Sequence, residues 1–133
     1  MQPHLRVARA SDNLQAIVAM YRDGLELEEL GRFSDHDGFD GVMLGASGMQ
    51  YHFEFTHQRG HAAPRSPSPE SLLVFYQPDE EAWRAACVRM LAAGFTAVVS
   101  HNPYWDVRGQ TFEDLDGYRV VLQQSTWPPR VAD

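Results

Sequence analysis

A chain of 133 residues has the length of one domain, or of two small units sharing a core. With 44% hydrophobic and 11% aromatic residues it can bury such a core, which excludes a disordered chain. Eleven basic against eighteen acidic residues give −7 at pH 7 with no basic cluster; this disfavours nucleic acid and membrane as partners and suits neutral or cationic ligands.

Residues 4–9 read as a short strand. Ser11, Asp12 and Asn13 are candidate caps for a helix beginning near Leu14, where Leu14, Ile17, Val18 and Tyr21 keep helical spacing until Gly24 stops it. Three extended pieces follow, Leu25 to Phe33, Phe39 to Leu44 and Met49 to Thr56, separated by turns at 34–38 and 46–48. In the third piece Tyr51, Phe53 and Phe55 alternate with Gln50, His52 and Glu54, giving one apolar and one polar face.

The stretch from His57 to Glu70 holds Pro64, Pro67 and Pro69 with Gly60, and reads as a linker. Leu72 to Tyr76 is an apolar β run, and Asp79 is placed to cap a helix whose stripe is Ala82, Trp83, Ala86, Cys87, Met90 and Leu91, with Gly94 as its stop. Thr96 to Ser100 is extended. Between 102 and 122, Asp114-Leu115-Asp116-Gly117 joins two apolar runs as a hairpin. Its second strand places Tyr118, Val120 and Leu122 on one side, expected to pack on a helix, and Arg119, Val121 and Gln123 on the other, expected to line a cavity.

The order strand, helix, three strands thus occurs twice: Val7 recurs as Val74 and Gly24 as Gly94, an offset of roughly 67–70 residues. Single Cys87 rules out an intrachain disulfide and fits a reducing compartment. No apolar run has the length of a membrane span and the N-terminus lacks a signal-peptide pattern, so the expectation is a cytoplasmic protein.

Two βαβββ units and the final Phe112-Glu113-Asp114-Leu115-Asp116-Gly117-Tyr118 before the last strand resemble the vicinal oxygen chelate superfamily. That superfamily includes glyoxalase I, bleomycin and fosfomycin resistance proteins and extradiol dioxygenases. The resemblance implies an α+β fold of two βαβββ modules, with curved mixed sheets enclosing a cavity and helices outside. It divides the chain, a single domain over 1–133, into module one (about 3–57), a linker (58–70) and module two (about 71–124). It also implies a small-molecule ligand and a homodimer.

Metal-dependent members take ligands from the first and last strands of both modules, which points to His4 and Glu54 here. Their counterparts at an offset of 67 are Ser71, a weak ligand, and Val121, which has no donor. No cofactor is therefore favoured, although a divalent metal remains the alternative.

Expected ligand-binding residues are Gln50, His52, Glu54, Tyr104, Trp105, Arg119 and Val121. Tyr104 and Trp105, in a loop after Asn102-Pro103, either cap the core or a dimer contact, or wall the pocket. Glu54 is either a solvated edge carboxylate or a cavity carboxylate paired with Arg119; in an enzyme it would be the candidate general base. Two functions follow. The favoured one is metal-free small-molecule binding of the drug-sequestering type. The other is a metal-dependent lyase, isomerase or dioxygenase using His4, Glu54 and further ligands.

Overall fold

In a computed structural model, residues 2–129 are described, and they divide into two compact units, one ending at Arg65 and one starting at Ser66. The first unit runs β1 (Leu5–Ala10), α1 (Leu14–Gly24), β2 (Glu28–His36), β3 (Phe39–Gly45) and β4 (Tyr51–Gln58). The second runs β5 (Leu72–Tyr76), α2 (Glu80–Ala92), β6 (Thr96–Val98), a short α3 (Tyr104–Val107), β7 (Gly109–Glu113) and β8 (Arg119–Gln123). The duplication is therefore present, with one added helical turn in the second copy.

Each unit carries one open four-stranded mixed sheet, in the order β1-β4-β3-β2 and β5-β8-β7-β6. The first and last strands of each unit pair in parallel, and the other neighbours are antiparallel. This is the βαβββ module twice over: the helix carries the chain from the edge strand past its parallel neighbour, and two reversals bring it back, the first of them in the second unit running through α3.

The core of the first unit follows the alternation in β4. Phe53 and Phe55 are buried at 1% exposure and stack on each other at 6.0 Å between centroids. Tyr21 of α1 packs on both rings, at 5.3 and 4.9 Å. Ile17, Val18 and Met20 of the same helix are buried with it, as the helical spacing requires.

In the second unit Trp83 of α2 donates through Nε1 to the Leu122 carbonyl at 2.8 Å, fixing the helix against β8. Asp79 caps that helix by accepting from the Ala82 N–H at 2.9 Å. Asn13, by contrast, makes no capping bond at the start of α1.

Two expectations change. Gly94 does follow α2 with φ at +104°, but after α1 the left-handed residue is Glu26, at φ +54°, and Gly24 is the last residue of the helix. The reversal out of α1 comes two residues later than a glycine stop would place it, and β2 accordingly begins at Glu28, not Leu25. On β8, Val120 to Gln123 are all buried. The expected contrast between a packed side and a polar side is not seen there.

Candidate functional site

The polar face of β4 is where the first unit gathers its chemistry. His52 and Glu54 alternate with the buried phenylalanines, so both project from the side of the sheet opposite α1. The parallel pairing of β1 with β4 sets Arg6 opposite His52 and Ala8 opposite Glu54. His4, just before β1, has the same parity as Arg6 and reaches the same face.

Arg6 is the centre of the arrangement. Its Nε donates to His52 Nε2 at 2.8 Å, and its Nη1 donates to Glu54 Oε2 at 3.2 Å. The next nitrogen along, His52 Nδ1, lies 2.6 Å from His4 Nε2, and the two rings stack with centroids 4.8 Å apart.

These contacts fix where the protons sit. A guanidinium Nε–H can only donate, so His52 Nε2 must offer its lone pair. The proton of a neutral His52 is then on Nδ1, and it donates to His4 Nε2. The direction is self-consistent, Arg6 to His52 to His4. His52 is also held below the ordinary histidine pKa, first by desolvation and then by the Arg6 charge, with Glu54 opposing.

The face is accessible. The Arg6 side chain is 49% exposed and that of Glu54 15%, so the carboxylate is the inner member of the pair. Gln50 sits at the margin and donates to Gln2 Oε1 at 3.0 Å.

The remaining expected residues belong to the second unit. Tyr104 and Trp105 do not lie in a loop; they form the first turn of α3, packed edge to face with centroids 4.9 Å apart. Asn102 supports that turn by accepting from the Tyr104 N–H at 3.0 Å. Arg119 donates through Nε to Glu113 Oε2 at 3.1 Å, the residue opposite it on β7. Val121 is fully buried.

Glu54 and Arg119 thus each take a partner from their own unit, Arg6 and Glu113; the sequence had left Glu54 open between a solvated edge and a pair with Arg119. Arg6 is the residue that sequence reasoning missed. Its signal was present: it lies two positions after His4 in an alternating strand, on the parity of the polar face.

A divalent metal does not fit these residues as they stand. Among the described residues, no three His, Cys, Asp or Glu side chains converge on a metal position. A metal needs imidazole lone pairs, and those of His52 Nε2 and His4 Nε2 are already engaged.

Two other features lie elsewhere. On the α1 side of the first sheet an open cleft of about 440 Å³ is lined by Val18, Val42 and three arginines, but Arg22, Arg32 and Arg59 are bonded to Asp23, Glu29 and Asp40. In the second unit, burial pushes the Cys87 thiol above its ordinary range, which makes it a poor nucleophile.

With two βαβββ modules in place, the protein has the fold of the vicinal oxygen chelate superfamily. The chain matches the YycE-like N-terminal domain over residues 5–56 and the YycE-like C-terminal domain over residues 70–124, and it belongs to the YycE-like family.

It is 42% identical over 121 residues to the uncharacterized protein YycE of Bacillus subtilis, covering 91% of this chain and 87% of that one. The crystal structure of a Bacillus subtilis YycE superposes with a TM-score of 0.85 over 94% of this chain and 91% of the other. More remote is the fosfomycin resistance protein FosX of Mesorhizobium loti, with a TM-score of 0.68 at 14% identity, covering 98% and 95% of the two chains. Glyoxalase I of Zea mays gives a TM-score of 0.72 at 15% identity, over 93% of this chain and 46% of the enzyme. At such identities the last two share the fold alone.

Proposed function

We propose that the protein binds a small organic molecule without a metal, through the face built by His4, Arg6, His52 and Glu54 with Gln50 at its margin. The observation that carries this reading is Arg6, whose guanidinium joins His52 and Glu54 on an accessible sheet face. Such a face offers fixed donors and acceptors at no further cost of ordering, which is what orients a small ligand. The −7 charge favours neutral or cationic compounds at encounter.

In this reading the protein is a cytoplasmic homodimer of the sequestering kind. No helix among the described residues is long and apolar enough to cross a membrane. Exposed Val99, Tyr104, Val107 and Trp127 supply apolar surface that a second copy would cover. Light scattering at micromolar concentration tests the dimer, and monomer alone contradicts it.

A thermal-shift screen of small organic compounds tests the function. A binder raises the melting temperature by mass action, and the shift should shrink in Glu54→Gln and Arg6→Gln. A binder whose shift is the same in both variants places its site elsewhere. A compound chemically converted by the protein would replace sequestration with the enzyme reading.

A further inference from the structure

We propose that Arg6 stands in for a metal ion, a built-in cation that holds His52 and Glu54 and keeps divalent metals off this face. The inference rests on the reading of this face as the site, and adds what organises it.

Three observations carry it. The first is position: the β1–β4 register sets Arg6 directly across from His52 and two residue pairs from Glu54, so that its guanidinium joins the two groups that a metal would have to bridge. The second is saturation. Arg6 Nε takes the lone pair of His52 Nε2, Arg6 Nη1 takes Glu54 Oε2, and the imidazole proton so directed takes the lone pair of His4. Each donor atom a metal would need is thereby engaged, apart from the second Glu54 oxygen. The third is charge. A divalent ion arriving here would meet a fixed positive charge within hydrogen-bonding distance of its ligands, and it would have to displace that charge before it could bind.

A guanidinium does part of what a metal does. It fixes the carboxylate, sets the histidine tautomers and leaves the Nη2 edge for ligand oxygens, but it carries no labile water and generates no hydroxide.

The test is equilibrium dialysis of untagged, EDTA-stripped protein against Zn²⁺ and Ni²⁺ separately, with metal counted per chain. Wild type should retain far less than one equivalent. Arg6→Gln should bind either metal at least about tenfold more tightly than wild type, the scale on which surrounding groups move metal affinity. Adding Glu54→Gln to that variant should abolish the gain. Arg6 is half-exposed on an edge strand, so the variant should fold, and Arg6→Ala serves as a second neutral replacement. Stoichiometric metal on wild type overturns the proposal. So does a folded Arg6→Gln or Arg6→Ala with no gain. Neither result depends on an organic ligand, so failure here leaves the thermal-shift test of binding to be judged separately.

Discussion

Arg6 and His52 face each other across the parallel β1–β4 pair, and the 2.8 Å bond from Arg6 Nε to His52 Nε2 gives the polar face its polarity. On the other side of the same strand, Phe53 fills the core against Tyr21. One strand therefore separates what holds the module together from what it presents, and the two can be perturbed independently.

Replacing Phe53 with Ala should cost about 3–5 kcal/mol, since it removes a fully buried ring in contact with Tyr21 and Phe55. Urea unfolding measures this. A loss below about 1 kcal/mol, the range of a surface change, would mean that the side chain is not in a packed core.

The hairpin between β7 and β8 depends on Asp114. Its Oδ1 accepts from the N–H groups of Asp116 and Tyr118, at 2.8 and 3.0 Å, and Gly117 beside them takes φ +93°. Asp114→Ala strands those donors and should cost about 1–3 kcal/mol. Gly117→Ala, strained at that angle, should also destabilise, while Leu115→Ala on the exposed turn should change little.

Asp40 provides the pH test. Hydrogen bonds from Arg59 and from the Asp35 N–H hold its carboxyl down to about 2, against an ordinary 3.8. A depressed carboxylate stabilises the fold above its unfolded pKa and loses that contribution as pH falls through the folded one. Stability should therefore drop between about pH 4 and pH 2, and Asp40→Asn should flatten that part of the curve. An unchanged slope in the variant would mean that Asp40 titrates alike in the folded and unfolded chain.

Much of this architecture was legible in the sequence, because alternation and helical spacing are local. Phe53 and Phe55 against His52 and Glu54, the Asp79 cap and the Asp114–Gly117 turn could all be read directly. The partners could not. The sequence left Glu54 open between a solvated edge and a pair with Arg119 of the last strand, whereas its guanidinium comes from Arg6, which the register of a parallel pair places beside it. That register is a long-range property, since 46 positions separate the paired residues of β1 and β4. The left-handed Glu26 was equally hidden, since a glutamate gives no sign of positive φ.

The order Arg6 to His52 to His4 can be read without any ligand, from long-range ¹H–¹⁵N spectra of the imidazole rings near neutral pH. The account predicts that His52 and His4 both carry their proton on Nδ1, and that Arg6→Gln releases His52 to exchange between tautomers. A wild-type His52 protonated on Nε2 could not accept from Arg6, and would contradict the account at its centre.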